Sequence, residues 1–241
     1  MRNPDAAWLV DHQATAIGAA YAAGAPVPAV YEQVTVDGRP GLVMERVDGP
    51  DLLTQMGRRP WRLVPIAHRL GEIHAELHEV VAPRELPDLR VSLQQRIESA
   101  DALPGPLRSL ALDVLRGLPD GDRLCHGDFH PGNLLMGARG PMVVDWTLAA
   151  RGDPTADVAR QPLMIRLGEL PPGTPVVIRA GNRFGRGTFL RLYLRSYRRR
   201  RPIDDSTWTR WQVVQAAARF AEGIEGEFPV LLRFLESRAS E

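Results

Sequence analysis

The spacing of apolar residues along the chain changes period several times, and each change marks an element. Residues 5 to 23 are rich in Ala, with Trp8, Leu9, Ile17 and Tyr21 at helical spacing. Gly24 and the "PVP" at 26 to 28 end that helix. The period then shortens. "AVYEQVTV" and "PGLVMERV" are β-branched or apolar stretches joined at "DGR" (37 to 39), so residues 29 to 47 are predicted as two antiparallel strands. Helical spacing returns from about Trp61 to Val81, with Val64, Ala67, Leu70, Ile73, His74 and Leu77 on one face. Two more helices fit 89 to 101 and 106 to 117, with "LPGP" between them. "DRLCHGD" reads as a short strand, and "NLLMGARGPMVVDW" as a second hairpin. From Thr155 onward the pattern is helical, broken at "PPGTP" (171 to 175) and "RRRRPIDDS" (198 to 206). The architecture predicted is α+β: one small hairpin, then a mostly helical body carrying a second hairpin. A hairpin of two strands is marginal in water, so the first one leaves a face to be covered.

Composition narrows the setting. At 241 residues the chain can bury roughly 70% of its unfolded surface without staples. A net charge of +1 suggests neither a nucleic-acid coat nor an acidic tail, and no segment reaches the 18 or so uncharged apolar residues of a spanning helix. No nucleic-acid or membrane partner is expected. The single cysteine, Cys125, excludes an internal disulfide. With no signal-like apolar core at the start, the expected location is cytoplasmic. All 30 basic residues are Arg, a usage that GC-rich coding favours, so no lysine chemistry is available.

"HGDFHPGNLL" (126 to 135) concentrates the candidate chemistry. A hairpin centred on Arg139 would pair residue 134 with 144 and set Asn133 beside Asp145. Asp128 lies five residues before Asn133, across a turn forced by Pro131 and Gly132. Mg²⁺ takes hard oxygen ligands and usually one or two carboxylates, which Asn133 and Asp145 suit. Asp128 is then free to orient a hydroxyl nucleophile, a division of labour that describes phosphoryl transfer. His126, Asp128 and His130 also fit the Gly-Asp-x-His start of metallophosphatases, although no histidine follows position 130. His74 and His78 have metal-compatible i, i+4 spacing but fit core-facing or capping positions better, and Cys125 reads as a buried thiol. The arginines at 198 to 201 read as a solvated helix end. Residues 176 to 201 contain no acidic side chain to meet a polycation, while Asp204, Asp205, Glu222, Glu225 and Glu227 lie beyond.

"HGDFHPGN", "VVDW" and "GDPTADVA", in that order, resemble the aminoglycoside phosphotransferase family, the small-molecule branch of the protein-kinase-like fold that includes choline kinases. "GAPVPAVYE", "GLVMERVDGPDLL" and "AHRLGEIHAELH" resemble its hinge region and first large-lobe helices. The resemblance implies a reduced N-terminal lobe and hinge over 1 to 47 and a helical C-terminal lobe over 48 to 241. It implies ATP as donor, Mg²⁺ as cofactor and a small-molecule hydroxyl as acceptor. Asp128 would be catalytic, and Asn133 and Asp145 would hold Mg²⁺. Met44, Glu45, Arg46 and Val47 would contact adenine through their backbone. His126 and His130 would support the loop, and Asp157 would tie it down from the following helix. The family's phosphate-covering strands and lysine have no counterpart, Gln13 falling near that lysine's usual glutamate partner, which points to an N-terminally shortened chain. A kinase-like binding module without catalysis is therefore the second reading.

Overall fold

The computed structural model describes residues 4–167 and 176–239. The first helix, α1 (Pro4–Ala22), contributes Ala16, Ile17 and Ala20 to the core. Trp8 and Tyr21, expected on that face, are instead 56% and 51% exposed. Strands β1 (Val30–Val36) and β2 (Arg39–Met44) form the expected hairpin. Its turn pairs Val36 with Arg39, and Asp37 and Gly38 both take positive φ, 50° and 76°. That conformation matches the twist of the strands and is why Asp-Gly sits there. The sheet has these two strands, and α1 packs against it.

The chain continues through a helix that the periodicity did not show, α2 (Leu52–Arg58), capped by Asp51, whose Oδ1 accepts the Thr54 N–H at 2.7 Å. A single 3₁₀ turn (Pro60–Arg62) leads into α3 (Leu63–Leu77). Its inner face is Ile66, Ala67, Leu70, Ile73, His74 and Leu77, whereas Val64 is exposed. Helices α4 (Leu89–Glu98) and α5 (Gly105–Arg116) follow, close to their predicted bounds. Next come β3 (Arg123–Cys125), the hairpin β4 (Leu134–Gly137) and β5 (Gly140–Val143), and a short β6 (Ala150–Gly152). β3 pairs antiparallel with β6, a contact no local pattern announced. Helices α6 (Pro154–Leu167), α7 (Val176–Arg200), α8 (Asp205–Arg219) and α9 (Phe228–Ala239) complete the body. The break expected at 171 to 175 lies outside the described residues; the one at 198 to 206 is the α7–α8 connection.

Two apolar clusters hold the helical part together. One joins α1, α3 and α7 around Leu70, Ile73, Phe129, Trp146, Tyr193 and Tyr197; the other joins α4, α5, α8 and α9 around Leu93, Ile97, Leu115, Trp211 and Leu235. α3 and α7 meet at Gly71, where a Cβ would stand 2.4 Å from the Tyr193 carbonyl oxygen. The catalytic-loop candidate runs from one cluster to the other, since Cys125 belongs to the second and Phe129 to the first.

The second hairpin departs from its expected register. Leu134 pairs with Val143 and Gly137 with Gly140, so the turn is the two residues 138 and 139. The Asn133 carbonyl accepts the Val144 N–H at 2.9 Å, and Asp145 lies beyond the ladder with φ 62°. Asn133 and Asp145 are thus not a facing strand pair. A left-handed residue after the last rung ends the strand and redirects the chain.

Candidate active site

Asp128 follows β3 on a loop whose backbone is held from beneath. Gly127 has φ 79°, and a Cβ there would fall 2.3 Å from the Leu148 carbonyl oxygen, so no side chain fits. The Asp128 N–H donates to His126 Nδ1 at 3.2 Å, while His126 Nε2 lies 3.1 Å from the Val144 carbonyl oxygen. One buried imidazole therefore ties the loop to the end of β5. Burial holds the His126 pKa below its ordinary value, in keeping with a ring that donates on one side and accepts on the other. His130 caps the 3₁₀ turn Pro131–Asn133, its Nδ1 accepting the Gly132 N–H at 3.0 Å.

The Asp128 carboxylate is 28% exposed and has three neighbours. Asn133 Nδ2 donates to Oδ2 at 3.1 Å and to the Asp128 carbonyl at 2.9 Å. His130 Nε2 lies 3.5 Å from Oδ2, and Arg160 NH2 lies 3.5 Å from Oδ1. Burial opposes ionisation, but His130 and the Arg160 charge outweigh it and hold the pKa at about 2. Because the Asn133 amide nitrogen is committed to Asp128, its amide oxygen is the atom left for a ligand. Asp145 is exposed, with Oδ1 accepting the Thr147 hydroxyl at 2.6 Å.

Asp157 anchors the loop. From the first turn of α6, its Oδ2 accepts the His126 N–H at 2.6 Å and its Oδ1 the Gly127 N–H at 3.1 Å. His74 Nε2 and His78 Nε2 approach Oδ2 at 3.2 and 3.3 Å. On their far sides, His74 Nδ1 meets the Tyr193 hydroxyl at 2.6 Å and His78 Nδ1 the Tyr197 hydroxyl at 2.7 Å. Burial pushes both tyrosines up, so their hydroxyls stay protonated and donate to Nδ1. The Nε2 atoms then donate to the carboxylate. Burial opposes its ionisation, but the two histidines more than compensate and keep Asp157 well below the usual range. His74, His78 and Asp157 bring ligand atoms within 4.8 Å of one another, as a metal site would. Each of these atoms already serves in the hydrogen-bonded chain.

This network predicts sensitivity to acid. Burial, reinforced by His74, depresses the His78 pKa from 6.5 to about 3. Between those values the unfolded chain binds a proton that the folded chain does not. Stability is therefore complete above about pH 6.5 and falls with acid, at about 1.4 kcal/mol per pH unit for one such group. Asp157, also depressed, adds a loss below its ordinary 3.8. Urea midpoints should decline steadily from near-neutral pH to about pH 5; a flat profile would contradict the assignment.

The structure brings Asp128, Asn133, His126, His130 and Asp157 into one contiguous set and leaves Asp145 at its edge. Met44 is the last residue of β2, and Glu45 to Val47 follow it. The Glu45 N–H donates to the Ala29 carbonyl at 2.7 Å, and its carboxylate accepts the Ala29 N–H at 3.2 Å and pairs with Arg139 at 2.5 Å. The segment after it follows β4, with the Met136 N–H donating to the Pro50 carbonyl at 3.0 Å. Arg160 was not anticipated. Its only sequence signal is a charge on the apolar side of α6, among Ala156, Ala159 and Leu163. The arginines at the end of α7 pair with acidic partners, Arg198 with Asp205, Arg200 with Glu76 and Arg201 with Glu79.

Small two-stranded sheets on a mostly helical body give the chain the fold of kinase-like phosphotransferases. The chain belongs to the phosphotransferase enzyme family APH, which it matches over residues 3–203. Aminoglycoside-3'-phosphotransferase of type VIII is similar at 20% identity and TM-score 0.61, covering 87% of this chain and 80% of that one. A thermostable aminoglycoside phosphotransferase APH(4)-Ia, in ternary complex with AMP-PNP and hygromycin B, is similar at 14% identity and TM-score 0.60, covering 93% and 80%. A choline/ethanolamine kinase family protein from Mesorhizobium loti is similar at 17% identity and TM-score 0.57, covering 95% and 75%. No curated protein matches the chain in sequence. Among the described residues, no helix is long and apolar enough to cross a membrane.

Proposed function

We propose that the chain transfers the γ-phosphoryl group of Mg-ATP to a hydroxyl of a small-molecule acceptor. The observation that carries this reading is the Asp128–Asn133 pair on a loop pinned by Asp157. A carboxylate held near pKa 2 is a weak base. Phosphoryl transfer passes through a loose transition state that asks little of its base, so Asp128 serves chiefly to orient the hydroxyl and to take its proton late. The Asn133 amide oxygen and the exposed Asp145 carboxylate are hard-oxygen donors of the kind Mg²⁺ prefers, and these two residues would hold it. Bound there, Mg²⁺ would neutralise charge on the phosphates. The Glu45 N–H is spent on Ala29, which leaves the adenine contact to its carbonyl and to backbone groups of Met44, Arg46 and Val47. The APH(4)-Ia neighbour, with AMP-PNP and hygromycin B bound, supports a nucleoside triphosphate donor and a small-molecule acceptor. An ATP donor and the buried free thiol of Cys125 fit a cytoplasmic setting.

The chain has no lysine to grip the phosphates, and its β1–β2 sheet has two strands. Those observations favour, as the second reading, a nucleotide-binding module without transfer. Transfer of label from γ-labelled ATP to a panel of sugars, amino alcohols and aminoglycosides decides between them, with nucleotide binding followed in parallel. Asp145→Ala should weaken Mg-ATP binding about tenfold or more while sparing binding of metal-free ATP, because one charge-assisted contact is worth about 1.5–3 kcal/mol. Equal titration curves for the variant and the parent would remove Asp145 from the metal site.

A further inference from the structure

The two oxygens of the Asp128 carboxylate are unequally engaged. Oδ2 meets Asn133 Nδ2 at 3.1 Å and His130 Nε2 at 3.5 Å. Among the described residues, Oδ1 has one neighbour, NH2 of Arg160, at 3.5 Å, the outer limit of a hydrogen bond. Oδ1 is therefore the oxygen left for an acceptor hydroxyl. A guanidinium beside a carboxylate commonly closes to a forked pair at about 2.7–2.9 Å. Arg160 does not, although it is only 2% exposed and its Nε and NH1 find no other partner in the protein.

What holds it back is Glu222. The same NH2 reaches Glu222 Oε1 at 2.8 Å, the shorter of its two contacts. Glu222 ends the 3₁₀ turn Phe220–Glu222, which follows α8. Gly223, at φ 69°, turns the chain there, and Phe220, buried and stacked on Phe228 at 4.9 Å, plants the turn in the second apolar cluster. Two further arginines grip the Glu222 carboxylate from other elements, Arg96 of α4 at Oε1 and Arg219 of α8 at Oε2, the latter at 2.9 Å. Arg219 is itself held by Glu227 at 2.5 and 2.8 Å. Glu222 is thus a fixed anion that competes with Asp128 for one guanidinium nitrogen.

We propose that Glu222 is a positioning residue for the transfer reaction: acting through Arg160, it keeps the guanidinium at the edge of reach of Asp128 Oδ1, so that this oxygen stays open to the acceptor hydroxyl. Without the Glu222 charge, Arg160 has one anion to approach, and the attraction to Asp128 grows as the distance shrinks. The guanidinium then closes on Oδ1 and takes the place of the hydroxyl. The proposal rests on the reading of Asp128 as the group that meets the acceptor.

Glu222→Gln tests it, because it preserves volume while removing the charge and one of the two acceptor oxygens. In transfer from Mg-ATP to an acceptor that the parent protein uses, kcat should fall about tenfold to a hundredfold, the scale of a displacement of about 1 Å at a reacting group, with KM for ATP within about twofold. Glu227→Gln controls for general loosening: it breaks the network one ion pair further out, and should lower the urea midpoint yet leave kcat within about twofold. Glu222→Asp, which keeps the charge on an arm one methylene shorter, should fall between Glu222→Gln and the parent, and it serves if Glu222→Gln fails to fold. A readout independent of turnover is the NMR resonance of the Asp128 carboxyl carbon in aspartate-labelled protein, identified by its absence from Asp128→Asn. It should move in whichever Glu222 variant folds and stay in place in Glu227→Gln. An unchanged kcat in the Glu222 variants, a loss equalled by Glu227→Gln, or an unmoved Asp128 resonance overturns the proposal. If the parent protein transfers phosphate to no acceptor, the phosphotransferase reading fails, and the resonance alone decides whether Glu222 positions Asp128.

Discussion

Asp128→Ala is expected to lower the rate of phosphoryl transfer by about a hundredfold to ten-thousandfold, the range associated with a positioned acid or base, while nucleotide affinity changes little. The side chain is partly exposed and the loop beneath it is held by Asp157, so the fold should survive. Asn133 keeps its contact with the Asp128 carbonyl and Arg160 keeps Glu222. Asp128→Asn is the sharper comparison, because it preserves volume while removing the charge and one of the two acceptor oxygens. Measuring kcat and KM for ATP separately isolates the effect. A fall in kcat with KM steady supports a role at the acceptor hydroxyl, and turnover equal to that of the parent protein would refute the catalytic assignment.

Asp157→Ala should produce the largest loss of stability. It would strip the acceptor from four donors at once: the His126 and Gly127 N–H groups and Nε2 of His74 and His78. Removing one partner of a buried charged set typically costs about 3–5 kcal/mol. The loss should appear as a lowered urea midpoint with an unchanged slope. A shift under about 1 kcal/mol would show that the network contributes order without stability. Asp157→Asn should recover little, because an amide offers one acceptor oxygen where the carboxylate offers two, and its NH₂ would face donors.

Much of this arrangement is written in local sequence. The Asp-Gly turn at 37 to 38, the helical face of α3 and the order of Asp128, Asn133, Asp145 and Asp157 all follow from short-range patterns. Elements that depend on distant partners were not legible. β6 is three residues long, too short for a period, and exists because Ala150 to Gly152 pair with Cys125 to Arg123. Gly152 permits this by lying against Leu89, where a Cβ would fall 2.5 Å from that side chain. α2 was hidden because its roughly two turns bury only Leu52. The register of the second hairpin turned on one residue of loop length, which apolar spacing does not fix when the strands are four residues each. His74 and His78 read correctly as core positions. Their link to the Asp128 loop required Asp157 from 79 to 83 residues away and two tyrosines on α7, both 119 residues away.

Cys125 sits at the end of β3, immediately before the loop, fully buried, with burial raising its thiol pKa well above the ordinary value. Because it is the chain's only cysteine, modification by a thiol reagent reports opening at one place, the joint where β3 pairs with β6 against the second apolar cluster. Labelling kinetics under native conditions would thus report local opening at the base of the Asp128 loop, with no introduced probe. The same trace, taken with and without Mg-ATP, would show how far ligand binding suppresses that opening.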